Sequence, residues 1–370
     1  MPPTNTPSRS LPSIRLLAAA DEPNPHLVLP ALLGPATQTA CFSVEKGTVI
    51  VDSIRSLGYF VQPQTNIDLR RGLVEYMRKP YRLREFMRIK RLDNVLEMCL
   101  KARKSAELLN ADVVTWRGIL TKIALGTKID LNVSYHDGIL YVEDHATPKG
   151  RISLCDESTF MGHKFEDYCT SQRPGGPAGS SLFDLDTFWA AGITRTLGSL
   201  NLLLVGEVDC VNPDYRTDPG PQHYVELKTK LVPQPELWSN HERDRKWDVQ
   251  SHLIGGTQIV AGLRSQNGII KASDYRKLEV RETPPGRLDW LARVLQALID
   301  HCKQNPNPWR RGNAAPLRVW RAEARKDHVN IREVTAQEIE AMNKGGVPRN
   351  GILPVSYLQG LANRKKQARV

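Results

Sequence analysis

Leu200-Asn201-Leu202-Leu203-Leu204-Val205-Gly206-Glu207-Val208-Asp209 is apolar through most of its length and ends on two carboxylates. After a loop rich in Pro, Gly and Asp comes Tyr224-Val225-Glu226-Leu227-Lys228-Thr229-Lys230. The first run is apolar enough for a strand buried on both faces, and the second reads as its companion strand. Strand side chains alternate, so Glu207 and Asp209 share one face, and Glu226 and Lys228 do likewise around Leu227. Side by side, the two runs would gather three carboxylates and a lysine in an apolar setting. Buried carboxylates need a metal or another partner.

The flanking segments predict a mixed fold. Leu131–Tyr135 and Ile139–Glu143 alternate around His136-Asp137-Gly138, which predicts a hairpin. Helical spacing runs from Asp68 to about Arg103, with Pro80 separating two helices. Further helices are predicted over Asn240–Ile254, ended by Gly255-Gly256, and over Arg287–Lys303. A strand is expected at Gln258–Leu263, and a capping box, Thr335-Ala336-Gln337-Glu338, opens a last helix. The fold class is α+β, a central mixed, largely antiparallel sheet or sheets flanked by helices. Residues 1–28 carry six prolines and too little packing material to order, so they are expected to form a disordered arm. Residues 29–360 are expected to form one catalytic domain and 361–370 a flexible basic tail.

The chain has 370 residues, 40% hydrophobic and 25% charged, the balance of a globular protein. Its net charge of +11 favours a polyanionic partner. The cluster Arg78, Lys79, Arg82, Arg84, Arg88, Lys90 and Arg91 is expected on a solvated helix face. No apolar run approaches the roughly 20 residues that cross a bilayer, so no membrane association is expected. Six scattered cysteines argue against a disulfide framework and against structural zinc.

Cleaving a phosphodiester at neutral pH needs charge neutralisation, an activated water and help for the leaving oxygen, which carboxylate-held divalent ions supply. Asp209 and Glu226 are the natural primary ligands, with Glu207 beside them and the Leu227 carbonyl between Glu226 and Lys228. Lys228 can orient the attacking water or stabilise developing negative charge. Asp followed by Glu-x-Lys is the arrangement of the PD-(D/E)xK nuclease superfamily. Salt-bridged surface strands also produce Glu-x-Lys, but apolar flanks favour the metal reading.

A more specific resemblance lies in the ordered motifs. They are Trp116-Arg117-Gly118, Gly162-His163-Lys164-Phe165-Glu166, Gly206-Glu207-Val208-Asp209-Cys210, Glu226-Leu227-Lys228 and Gln250-Ser251-His252-Leu253. Over about Cys41 to Leu358 the chain resembles the DXO/Rai family of RNA 5′-end decapping nucleases. The resemblance implies that Asp209, Glu226 and the Leu227 carbonyl hold Mg²⁺ or Mn²⁺ and that Glu166 is a further ligand. It implies that Glu207 contacts the substrate phosphate or a second metal, and that Lys228 and Gln250 contact the scissile phosphate and the nucleophilic water. It places Trp116, Arg117 and Gly118 in the substrate-binding site, with Arg117 binding the 5′ phosphates of the RNA.

The implied activity is metal-dependent hydrolysis at RNA 5′ ends bearing a triphosphate, an incomplete cap or a NAD cap, with 5′→3′ exoribonuclease activity in some members. Two alternatives stand beside it. One is a stabilising and stimulating partner of a nuclear 5′→3′ exoribonuclease; the other, resting on Asp…Glu-x-Lys alone, is a DNA endonuclease. Thr37–Ala40, Trp189-Ala190-Ala191 and Gly255-Gly256-Thr257-Gln258 depart from the family's pattern, so the preferred 5′ end does not carry over. The basic run Arg364–Arg369 points to the nucleus, with the cytoplasm as the alternative.

Overall fold

Strands buried on both faces build the middle of the larger of the two main sheets. The computed structural model describes residues 13–15, 31–79, 85–87, 91–145, 152–179, 187–235, 238, 244–308 and 316–367. Ten strands form the larger sheet, ordered Ser13–Arg15, His328–Glu333, Trp320–Ala324, Ile129–His136, Ile139–Asp144, Val113–Trp116, Leu200–Glu207, Phe188–Leu197, Thr37–Glu45 and Thr48–Val51. Val113–Trp116 runs parallel to both neighbours, and the remaining pairings are antiparallel. The smaller sheet has six strands, ordered Thr170–Ser171, Tyr59–Phe60, Cys210–Val211, Tyr224–Leu231, Gln258–Arg264 and Tyr275–Glu279. With helices packed on both, the fold is α+β with mixed, largely antiparallel sheets, as expected.

The elements around the site are, in chain order, strand β1 (Val113–Trp116), helix α1 (Arg117–Ala124) and helix α2 (Glu157–Cys169). Strands β2 (Phe188–Leu197), β3 (Leu200–Glu207), β4 (Cys210–Val211) and β5 (Tyr224–Leu231) follow. Helix α3 (Arg245–Leu253) and strand β6 (Gln258–Arg264) complete the set. Trp189, Ala191, Val208, Tyr224 and Ile254 form an apolar layer that reaches from one sheet to the other. On the opposite face of the smaller sheet, Met161 and Phe165 of α2 cover Val225, Leu227 and Val260.

The predicted hairpin forms, with Ile129–His136 paired to Ile139–Asp144. Its two-residue turn needs positive φ at both positions, which Asp137 (φ 53) and Gly138 (φ 86) supply. The capping box at Thr335 and Glu338 is also present. All six cysteines are buried, and none is in a disulfide. Among the described residues, no helix is long and apolar enough to cross a membrane.

Several expectations are corrected. Strands β3 and β5 are not companions, because β3 lies between β1 and β2 in the larger sheet while β5 lies between β4 and β6 in the smaller. The chain changes sheets at Val208-Asp209, so the carboxylates approach one another across two sheets. The second helix expected before Arg103 begins only at Asp93, since Glu85–Met87 pairs as a strand with Ile152–Leu154. Tertiary pairing there overrides local periodicity. Of the basic cluster, Arg82, Arg84, Arg88 and Lys90 lie outside the described residues. Arg91 is not on a solvated face: its Nε donates to the buried Glu143 at 2.9 Å, and its Nη atoms reach the carbonyls of Met342 and Ile352.

Within the N-terminal arm, Ser13–Arg15 pairs with His328–Asn330, where an edge strand offers unpaired backbone groups. Residues 1–12 and 16–30 lie outside the described set. The basic tail is helical as far as Gln367, with Arg364 donating to Ser105 Oγ and to the Leu100 carbonyl and Lys365 paired with Asp137 at 2.8 Å.

Candidate active site

β1 passes into α1 without a loop, so Arg117 stands at the C-terminal end of a central strand of the larger sheet and at the start of a helix. The parallel register pairs Trp116 with Val205 and brings Arg117 alongside Gly206 and Glu207. A Cβ on Gly206 would lie 2.9 Å from Ile254 Cγ2 and 3.5 Å from Arg117 Cβ. Glycine therefore lets the arginine and the end of α3 close on the strand. Arg117 Nη1 donates to Glu226 Oε2 at 3.0 Å, and Nη2 to the Glu207 carbonyl at 3.4 Å. This ion pair joins the two sheets.

On the other side, β4 pairs antiparallel with β5, Cys210 opposite Val225, which carries Asp209 towards Glu226. Asp209 Oδ2 accepts from the Leu227 amide at 2.7 Å. Lys228 Nζ lies 2.5 Å from Glu226 Oε1, 3.1 Å from the Leu227 carbonyl and 3.5 Å from Asp209 Oδ2. On α2, Glu166 Oε2 is 3.0 Å from His163 Nδ1.

Electrostatics follow from this arrangement. Burial, then the charges of Glu226 and Glu166, hold the Asp209 carboxyl above its usual range against the pull of Lys228. Burial alone would also raise Glu226, but Lys228 and Arg117 prevail and hold it low. Burial would lower the Lys228 ammonium; Asp209 and Glu226 prevail and push it up. For His163, burial is outweighed by the Glu166 hydrogen bond and by the charges of Glu166, Glu207 and Asp209, so it is raised. Glu166 and Glu207 thus lie within electrostatic reach of the Asp209 cluster.

Asp209, Glu226 and the Leu227 carbonyl, the three expected primary ligands, converge on a single cation, the Lys228 ammonium. Their donors are all oxygens, the set that suits a hard divalent ion such as Mg²⁺, Mn²⁺ or Ca²⁺. Among the described residues, no three His, Cys, Asp or Glu side chains form a closed metal-binding group, because Arg117 and Lys228 are interleaved with the carboxylates. The donors fit an ion that shares this place with the lysine.

Of the expected substrate contacts, Gly118 sits half-buried in the first turn of α1, where a Cβ would meet nothing within 4 Å. Gln250 is half-buried on α3, which packs on α1, β5 and β6. Its amide makes no hydrogen bond to any described residue, so it is not a core amide satisfied by backbone. Trp116 differs from expectation. Its ring is buried edge-on to Phe42, and its Nε1 donates to the Arg91 carbonyl at 3.0 Å, so it anchors the end of β1 rather than facing a ligand. His163 was not singled out from sequence, although it stands three residues before Glu166 on one helix face.

Helix α2 owes its position to a glycine on β6. A Cβ at Gly262 would lie 2.6 Å from Phe165 Cε2 and 2.6 Å from Ile270 Cδ1. Gly262→Val is expected to cost about 1–3 kcal/mol through overpacking. Because Phe165 precedes Glu166, it should also weaken Mn²⁺ binding; thermal unfolding and a Mn²⁺ titration check both effects.

Residues 35–358 match the family described as RAI1 like PD-(D/E)XK nuclease. The decapping and exoribonuclease protein of Rattus norvegicus is 34% identical over 289 residues, 71% of this chain and 70% of that protein. Among solved structures, Candida albicans Rai1 in complex with pU5 and Mn²⁺ superposes with a TM-score of 0.71 at 18% identity, covering 96% of this chain and 100% of that one. Scheffersomyces stipitis Rai1 in complex with (3′-NADP)+ and a calcium ion gives 0.69 at 19% identity, covering 97% and 100%. Similarity over this span, together with Arg117, Asp209, Glu226 and Lys228 meeting where the two sheets join, places the protein: the chain belongs to the RAI1-like PD-(D/E)XK nuclease family.

Proposed function

We propose that the protein is a divalent-metal-dependent hydrolase of RNA 5′ ends, acting in RNA 5′-end quality control by removing pyrophosphate from 5′-triphosphate RNA and by removing incomplete or NAD caps. The observation that carries this reading is the convergence of Asp209, Glu226 and the Leu227 carbonyl on one cation, with Arg117 braced beside it. The relatives support it: one is named for decapping and exoribonuclease activity, one is bound to RNA and Mn²⁺, and one to a dinucleotide and calcium.

Mg²⁺ or Mn²⁺, held by Asp209, Glu226 and the Leu227 carbonyl with Glu166 and Glu207 nearby, would neutralise phosphoryl charge and lower the pKa of a bound water. The chain's own groups bind and orient. Arg117, whose Nη1 and Nη2 hold Glu226 and the Glu207 carbonyl, would offer its remaining N–H groups to 5′ phosphates, and Gly118 leaves open space beside it in the first turn of α1. Lys228 faces the reacting phosphate as a cation, and Gln250, with an uncommitted amide, can both donate to and accept from a water. Pyrophosphate release and cap removal are then one reaction, differing in which phosphorus is seated at the site.

RNAs ending in triphosphate, monophosphate, unmethylated cap, methylated cap or NAD should be incubated with Mn²⁺ and with chelator. Pyrophosphate, a cap dinucleotide and mononucleotides each identify one activity, and chelator is expected to stop all of them. A protein that changes none of these ends in Mn²⁺ is not a 5′-end hydrolase.

A further inference from the structure

Arg195 on β2 is 9% exposed and, among the described residues, has no carboxylate partner. Burial, with no charge to offset it, lowers its guanidinium to about 10. It is satisfied by backbone alone: Nη1 donates to the carbonyls of His252 (2.6 Å) and Leu253 (3.1 Å), and Nε and Nη2 both donate to the Gly34 carbonyl (2.9 and 2.5 Å). His252 and Leu253 end α3, where the last carbonyls lack helical partners and the helix dipole is negative. Burying an unpaired cation is costly, and an apolar residue could have filled the same volume.

What the arginine connects is informative. β2 belongs to the larger sheet, whereas α3 packs on α1 and on β5 and β6 of the smaller sheet, so these bonds add a polar tie between the end of the helix and the larger sheet at the junction on which the site is built. Gln250 lies in that same last turn. The next residue after α3, Ile254, touches Gly206, the neighbour of Glu207 and the glycine against which Arg117 rests. On its outer side His252 Nδ1 accepts from the Thr283 amide at 2.9 Å.

We propose that Arg195 is a positioning residue for the hydrolytic site, fixing the last turn of α3, and with it Gln250, against Arg117 and Glu207 at the ends of two central strands of the larger sheet. This rests on the functional reading above. The guanidinium touches neither substrate nor metal; it acts through Gln250.

The test is a double-mutant cycle on the full chain with 5′-triphosphate RNA and Mn²⁺, using Arg195→Met, Arg195→Lys, Gln250→Ala and the Arg195→Met/Gln250→Ala pair. Each is assayed well below its own unfolding midpoint. Arg195→Met is expected to lower kcat on the order of 10- to 100-fold, the scale of a small misplacement in a site, with Mn²⁺ affinity unchanged. Arg195→Lys should recover part of the loss. The double variant should be no slower than the slower single variant, because both act at one group. In parallel, amide exchange across 245–254 should quicken in Arg195→Met while that of 113–124 does not.

Multiplying losses, or an unchanged kcat beside a lowered Tm, would overturn the proposal and leave Arg195 a purely structural group. A wild-type protein inactive on every RNA end refutes instead the function on which the proposal rests, and that is seen before any variant is made.

Discussion

Glu226→Gln removes Mn²⁺-dependent hydrolysis, by on the order of 10³ or more in kcat/KM, and destabilises the fold in the same step. The first effect follows from the several kcal/mol that a bound ion contributes to transition-state charge, at about 1.4 kcal/mol per factor of ten. Glutamine keeps the shape and one acceptor but not the charge that draws a divalent ion. The second effect comes from Arg117, whose Nη1 lies 3.0 Å from Glu226 Oε2 in a setting where the two side chains are 10% and 5% exposed. Removing one partner of a buried pair leaves an uncompensated charge, at a cost of about 3–5 kcal/mol. Glutamine's remaining oxygen puts the loss near the lower end. Calorimetry of Mn²⁺ binding, thermal unfolding in chelator and turnover of 5′-triphosphate RNA read the three consequences separately. Full activity in this variant would remove Glu226 from the site.

The parts of the fold and of this site that were legible in the sequence are those fixed by local rules. Asp137-Gly138 required a tight turn, Thr335 and Glu338 required a helix start, and Glu226-Leu227-Lys228 required alternation, and all three hold. What was not legible depends on contacts between distant segments. Nothing local shows that the chain leaves one sheet after Glu207 and enters another at Cys210, so the two runs looked like neighbours in a single sheet. Arg117 was visible only through its motif, whereas its partner is 109 residues away. Arg91 looked like one more solvated cation until Glu143 and the carbonyls of Met342 and Ile352 surrounded it. Trp116 misled for a related reason: a residue inside a functional motif can serve by anchoring its neighbour. Arg195 carried no sequence signal at all, because its partners are backbone carbonyls, which every residue has.

Lys228→Met gives the sharpest contrast with Glu226→Gln. Activity should again fall, on the order of 10²–10³, because a preorganised cation aimed at developing negative charge is lost. Metal affinity should move the other way. In this structure the ammonium holds Glu226 Oε1 at 2.5 Å and the Leu227 carbonyl at 3.1 Å, two of the oxygens that the ion would take, and it adds a like charge beside the ion. Methionine releases both donors and removes that repulsion, so Mn²⁺ should bind about tenfold more tightly, roughly 1.4 kcal/mol. Without its ammonium, Asp209 and Glu226 face each other with only Arg117 to offset them. The metal-free variant should therefore unfold at a lower temperature, and Mn²⁺ should raise its Tm by more than it raises the wild type's. A Mn²⁺ affinity that falls together with activity would make Lys228 a support of the ion rather than its rival, and the three-oxygen convergence would then belong to the lysine alone. Opposite shifts in the two variants, both inactive, require that ion and ammonium compete for the same oxygens.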